Sequence, residues 1–321
     1  MGASAVNEVV VPVLTPFKGG ALDVDGLKAH VTSLMEAGVD AIFLEGTTGL
    51  GPSLTPDERR ALMNAASGVT GKVIVQVGGL DMEAVLGLVR AANDLDLLGV
   101  ASFPPPYYQR ITAAQLMRYF DALHEASEHP VYLYNYPAGT GKDLDAKAAS
   151  AMPWLKGVKD TSESLGHTMD YKRLIPQLKV YNGSDGLIAP SLAFLDGTVP
   201  SAANYATEAV LMIRDLIKSG RIQEAMRLQF VINDLVEAGR SFGYLSSVYS
   251  LTKLMRGYDV GGPRPPVFPL SEGEEDALKK AIRGALKSLE ELGVPGPIGA
   301  RRLGRRFRGA GRAAYSAERL N

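Results

Sequence analysis

The chain has no cysteine among its 321 residues. Disulfides and thiolate metal sites are therefore excluded, and a reducing compartment fits the composition. Histidine is scarce. The four residues, His30, His124, His129 and His167, show no metal-ligand spacing, so each reads as a core or surface residue. There is no Walker loop and no Ser–His–Asp layout. No apolar run approaches the ~20 residues needed to span a bilayer. Met1–Glu8 lack the basic-then-apolar order of a secretion signal. A soluble, cytoplasmic protein is expected.

Net charge is also small, at −1, but it hides an asymmetry. Residues 301–321 hold seven arginines and one acid, and the remainder carries 27 basic against 34 acidic residues. The body is acidic and the tail basic. A nucleic-acid partner is not expected, because the arginines are confined to a short tail on an acidic body. The tail, 294–321, is rich in Gly, Ala and Arg and is expected to be disordered.

What is present is a repeating alternation. Eight short apolar runs, Val9–Leu14, Val39–Leu44, Val73–Val77, Gly99–Phe103, Val131–Asn135, Gly157–Lys159, Val180–Tyr181 and Gly197–Val199, are separated by amphipathic stretches. The runs are continuously apolar, the pattern of strands buried on both faces. Helix starts are marked by Thr55-Pro56-Asp57-Glu58, by Thr112 with Gln115, and by Ser271 with Glu274, all capping-box spacings. Asn204 is expected to cap the helix ending near Gly220. Eight such units over residues 1–220 predict an α/β fold, a TIM (β/α)8 barrel. A doubly wound sheet is the alternative, but Gly78-Gly79 lacks the spacing of a nucleotide turn. Residues 221–293 predict a C-terminal appendix of three helices, Ile222–Ala238, Tyr244–Met255 and Glu272–Leu292.

Three strand ends carry candidate chemistry, and in a parallel barrel such ends meet at one face. Lys159 ends an apolar run, where burial disfavours the ammonium and frees a nucleophilic amine. The alternative is a strand-end lysine paired with Asp160. Tyr134 offers a phenol for proton exchange, or else a core tyrosine with a satisfied hydroxyl. Gly46-Thr47-Thr48-Gly49 offers hydroxyls and amides that could hold a carboxylate, or is a plain turn. Tyr107, Tyr108 and Arg110 on the loop after the fourth run, with Arg240, suit phosphate or carboxylate recognition; ordinary surface ion pairs are the alternative.

Together, Gly-Thr-Thr-Gly at 46–49, Tyr-Asn-Tyr-Pro at 134–137 and Gly-Val-Lys-Asp at 157–160 resemble the dihydrodipicolinate synthase / N-acetylneuraminate lyase superfamily. Gly-Leu-Gly-Pro-Ser-Leu at 49–54, Thr-Gly-Lys-Asp at 140–143 and Pro-Arg-Pro-Pro-Val-Phe-Pro-Leu at 263–270 look most like its archaeal 2-keto-3-deoxygluconate / 2-keto-3-deoxy-6-phosphogluconate aldolases. The resemblance implies a homotetrameric barrel, a keto sugar acid substrate, pyruvate as product, and a covalent lysine imine with no cofactor or metal. It implies that Lys159 forms the Schiff base and Tyr134 shuttles protons, with Thr48 as the third catalytic residue. Thr47 and Thr48 would bind the carboxylate, with Tyr136 and Gly183 also lining the substrate. Tyr107, Arg110 and Arg240 would hold a phosphate, and Tyr108 would cross a subunit boundary. Another pyruvate-dependent lyase or synthase, or a silent keto-acid-binding barrel, are the alternatives. Gly139 stands where dihydrodipicolinate synthases place an arginine, and Tyr244 where related aldolases often carry a smaller polar residue.

Overall fold

A computed structural model describes residues 7–295. Eight parallel strands close a barrel: Glu8–Pro12, Ala41–Leu44, Val73–Gln76, Gly99–Ser102, Val131–Asn135, Gly157–Asp160, Lys179–Asn182 and Gly197–Thr198. They pair in sequence order, and the first strand closes the ring by pairing with both the second and the eighth. Each expected run overlaps one strand, with ends that differ by a residue or two. The apolar continuity has a direct cause: alternate residues fill the barrel interior and the layer beneath the helices, so neither face meets water. Val9 and Val11 join the helix-side core, whereas Val10, Phe43, Ile74 and Tyr134 pack in the barrel lumen.

The three capping boxes form as the sequence indicates, at Thr55/Glu58, Thr112/Gln115 and Ser271/Glu274. Asn204 does something else. The helix Thr207–Lys218 has no side-chain cap. The Asn204 amide instead donates to Pro12 O at 2.9 Å and its carbonyl accepts from Leu14 N at 3.3 Å, tying the first strand to the chain after the eighth. His30 completes that link, with its Nε2 2.9 Å from Asn204 Oδ1 and its ring fully buried. A hairpin of two-residue strands, Phe17–Lys18 and Ala21–Leu22, has no counterpart in the sequence reading. Two residues per strand are too few to show a period.

After Gly220 come the helices Ile222–Arg240, Tyr244–Arg256, Glu272–Ala281 and Arg283–Glu291. The expected single helix over 272–292 is interrupted at Ile282. The interruption is a bend rather than an end, because Leu278, Ile282, Ala285 and Leu289 continue one buried stripe across it. Leu228, Ile232, Leu235, Val248 and Leu251 share a core with Ile188, Leu192 and Val210 of the barrel layer. Gln229 fastens this region to the end of the seventh strand. Its amide donates to Asp185 O and its carbonyl accepts from Ala189 N, both at 2.8 Å. Of the tail, 294–321, residues 296–321 lie outside the described residues.

Candidate active site

The fifth and sixth strands pair so that Tyr134 lies beside Lys159. Both side chains enter the lumen, and both residues are nearly inaccessible, at 2% and 6% exposed. Among the described residues no carboxylate forms an ion pair with Lys159. Its Nζ sits 4.2 Å from the ring centroids of both Phe43 and Tyr134. Burial pulls the Lys159 amine down to about 7, against a smaller opposing pull from the Asp185 carboxylate. A neutral amine is therefore available at physiological pH. Asp160, the alternative partner, faces the helix layer on the opposite side of the strand, as the two-residue period requires. Lys156 is exposed.

The phenol of Tyr134 is 3.0 Å from Thr47 Oγ1. Burial raises the Tyr134 hydroxyl to about 12, with the Thr47 contact acting in the other direction. It holds its proton at neutrality and can pass it along a hydrogen bond. Tyr136 stacks on Tyr134, with centroids 5.9 Å apart and an interplanar angle of 3°. A Cβ on Gly139 would approach the Tyr136 ring to 2.3 Å, so the aromatic fills the space that a side chain at 139 would need.

Thr47 and Thr48 lie on the turn after the second strand. That turn doubles back sharply: Gly51 N donates to Gly46 O at 3.0 Å, and a Cβ on Gly51 would fall 1.8 Å from Glu45 O. Only glycine fits there. Glu45 takes a left-handed conformation, φ 59°, and is anchored by the buried Arg59 at 2.6 Å. Burial raises the Glu45 carboxyl to about 7, partly offset by Arg59. The hydroxyl of Thr48 is 2.7 Å from that of Ser201, so the eighth strand's loop supports the turn.

Gly183, after the seventh strand, passes close to the lysine. A Cβ there would lie 3.2 Å from Lys159 Cε and 2.2 Å from Thr161 Oγ1. Two residues on is Asp185, buried, accepting from Ala202 N at 2.8 Å and from the Tyr244 hydroxyl. Burial raises its carboxyl, against those two hydrogen bonds and the Arg240 and Lys159 charges. Asp185 and Ser201 were not singled out in the sequence. The signal was Gly-Ser-Asp directly after an apolar run, the same strand-end position that drew attention to the other three segments.

The structure brings Lys159, Tyr134, Thr47, Thr48, Tyr136 and Gly183 to one end of the barrel. It leaves Tyr107, Tyr108 and Arg110 exposed on the loop after the fourth strand, with Tyr107 at φ 70°. They belong to the same end, but make no side-chain hydrogen bond to the lysine cluster among the described residues. Arg240 is half exposed, 3.9 Å from Glu163, with its charge acting on Asp185.

The chain is 47% identical over 289 residues to the 2-dehydro-3-deoxy-phosphogluconate/2-dehydro-3-deoxy-6-phosphogalactonate aldolase of Saccharolobus solfataricus, covering 89% of this chain and 98% of that one. It is 44% identical to the 2-dehydro-3-deoxy-D-gluconate/2-dehydro-3-deoxy-phosphogluconate aldolase of Thermoproteus tenax, over 88% of this chain and 92% of the relative. A solved Sulfolobus 2-keto-3-deoxygluconate aldolase in complex with D-KDPG superposes with a TM-score of 0.88 at 47% identity, covering 89% of this chain and 99% of that one. Residues 5–285 match the model of the dihydrodipicolinate synthetase family. With that match over most of its length, and relatives at 44–47% identity over nearly nine-tenths of it, the chain belongs to the dihydrodipicolinate synthetase family.

Proposed function

We propose that the chain is a class I aldolase that cleaves 2-keto-3-deoxygluconate and its 6-phosphate to pyruvate and glyceraldehyde or glyceraldehyde 3-phosphate. It is a carbon–carbon lyase of the aldehyde-lyase kind. The observation that carries the reading is the unpaired, buried Lys159 amine beside the Tyr134 phenol.

The substrate carboxylate docks on Thr47 and Thr48, where hydroxyls and turn amides hold it without a fixed cation. The Lys159 amine, neutral near pH 7, attacks the C2 ketone, and loss of water gives an iminium. This nitrogen is an electron sink, so one hard step becomes two easier ones. The C3–C4 bonding pair moves into the enamine as Tyr134 receives the C4 hydroxyl proton. The phenol hands its own proton along the Thr47 hydrogen bond toward the carboxylate. The aldehyde leaves, the same relay returns a proton to C3, and hydrolysis releases pyruvate. The sink is the lysine imine itself, so the proposed chemistry calls for no cofactor and no metal.

Arg110, Tyr107 and Arg240 are the proposed phosphate donors, because a guanidinium pairs with phosphate bidentately. A homotetramer is the proposed assembly. The exposed rings of Tyr107 and Tyr108, 78% and 57%, suit a subunit contact rather than open water. No helix among the described residues is long and apolar enough to cross a membrane. A cytoplasmic location is part of the proposal because the cysteine-free composition fits a reducing compartment.

Borohydride reduction with pyruvate, followed by peptide mass mapping, tests the proposal. A reduced pyruvyl adduct is expected on the peptide holding Lys159. An adduct on Lys142 or Lys156 instead overturns it.

A further inference from the structure

On the far side of the strands from Lys159 lies a closed ring of polar side chains that the reaction does not use. The Asn135 amide donates to Asp143 Oδ1 at 2.8 Å and to Asp160 Oδ1 at 2.9 Å. His167 spans the other two oxygens, with Nδ1 3.1 Å from Asp160 Oδ2 and Nε2 3.1 Å from Asp143 Oδ2. Two carboxylates are thus bridged on one side by an amide and on the other by an imidazole.

Proton counting fixes the charge of that imidazole. Asp160 is fully buried and already accepts from Ser162 Oγ at 2.7 Å and Thr168 Oγ1 at 2.6 Å, so it acts as an anionic acceptor. A neutral imidazole has one N–H and would turn a lone pair toward one carboxylate. Only the imidazolium donates to both.

The ring also has a position. Asn135 and Asp160 immediately follow Tyr134 and Lys159 on paired strands. Asp143 closes the segment that begins with Tyr136, the ring stacked on Tyr134. The Asn135 carbonyl accepts from Leu144 N at 3.0 Å, and Thr168 receives the Asn182 amide at 2.8 Å from the seventh strand. His167 is thereby connected to the ends of the fifth, sixth and seventh strands, the lysine's own strand and its two neighbours.

We infer that protonated His167 is a positioning residue, a cationic clamp that holds the Tyr136–Asp143 segment against the Lys159 strand and releases it when its proton is lost. The inference rests on Lys159 and Tyr134 being the reacting pair proposed above. Burial lowers the His167 proton affinity, but the Asp160 hydrogen bond and charge, with those of Asp143, outweigh it and raise the group above 6.5. The groups facing the ring are Asp160 from the strand, Asp143 from the loop, and Tyr171 of its own helix, whose ring lies 5.6 Å away. Because the folded state binds this proton more tightly, the clamp is fully present below about 6.5 and is lost as pH rises through the raised value. Asp143 is the half-exposed partner, at 45%, and is the end that lets go.

The test compares the parent with Asp143→Asn and His167→Gln in three measurements. In the parent, the His167 ring resonance, assigned by its absence in His167→Gln, should titrate above 6.5. Asp143→Asn keeps the shape but removes a charge, and should lower the ring's proton affinity roughly tenfold. The alkaline fall in kcat should then begin at lower pH in Asp143→Asn. In His167→Gln that fall should be missing from a turnover already reduced several-fold, and its melting temperature should converge on the parent's as pH rises. A ring that titrates at or below 6.5, or the same alkaline limb in all folded variants, overturns the clamp. If His167→Gln does not fold, Asp143→Asn decides. If pyruvate is not trapped on Lys159 in the parent, the aldolase reading fails, and the ring titration still tells whether the cation exists.

Discussion

Lys159 and Asp160 are consecutive, almost equally buried, and opposite in every other respect. Lys159 faces the lumen, where the rings of Phe43 and Tyr134 flank its amine and, among the described residues, no carboxylate pairs with it. Asp160 faces the helix layer, where four side chains donate to its carboxylate. One strand therefore carries a destabilised charge on one side and a satisfied charge on the other. A buried charge without a partner costs free energy and shifts toward its neutral form, whereas a fully hydrogen-bonded one can stay ionised. Reactivity has been placed on the first side and rigidity on the second.

Removing each side should have opposite consequences. Lys159→Met takes away the nucleophile, and cleavage should fall on the order of 10⁴- to 10⁶-fold, as when a covalent catalyst is deleted. Stability should not fall with it. The folded lysine releases its proton at about 7 and the unfolded one near 10.5. Between those values the unfolded state holds more protons, so parent stability rises with pH. Lys159→Met should remove that rise and melt higher at acid pH. A lower melting temperature across the whole range would show that the amine is paired after all.

Tyr134→Phe keeps the lumen packing and removes only the relay. Turnover should drop by ~10²–10⁴-fold, typical of a lost acid/base group. Pyruvate should still be trapped on Lys159, since imine formation needs the amine and not the phenol. Loss of both would make Tyr134 a packing residue.

Asp160→Asn attacks the other face. It strands donors from Ser162, His167 and Thr168, and should cost about 1–3 kcal/mol in a denaturant titration. Turnover at low temperature should fall far less than in Tyr134→Phe. A stable but inactive protein would mean that the two faces are not separable.

The smallest expected change is electrostatic. Asp185 holds the Lys159 proton affinity up. Asp185→Asn removes that charge, so the acid limb of pyruvate trapping should move to lower pH. A limb that moves up or stays still would show that another group sets it.

The barrel was legible because its period is written in local residue order. Val9–Leu14 or Val131–Asn135 need no knowledge of their neighbours to be read as buried strands. The capping boxes were legible for the same reason, since Thr55 and Glu58 are three residues apart. Short features were not: a hairpin of two residues per strand carries no periodic signal, and Ile282 bends a helix without interrupting its apolar stripe. Asn204 has the chemistry of a cap, yet tertiary partners at Pro12 and His30 claimed it.

Sequence alone determined which residue types stand at the strand ends: a lysine, a phenol, two hydroxyls and a glycine turn. Those types left plainer readings open one by one; it was their joint resemblance to a known family that pointed to a carboxylate-bearing substrate and an amine nucleophile. Only the tertiary structure decided which neighbours each group has. Phe43 is 116 positions from Lys159, and Thr47 is 87 from Tyr134. Proton affinity depends on burial and on charges within a few ångströms, and neither is a function of distance along the chain. Closing the barrel removed water and partners from Lys159, and left both with Asp143 at the rim.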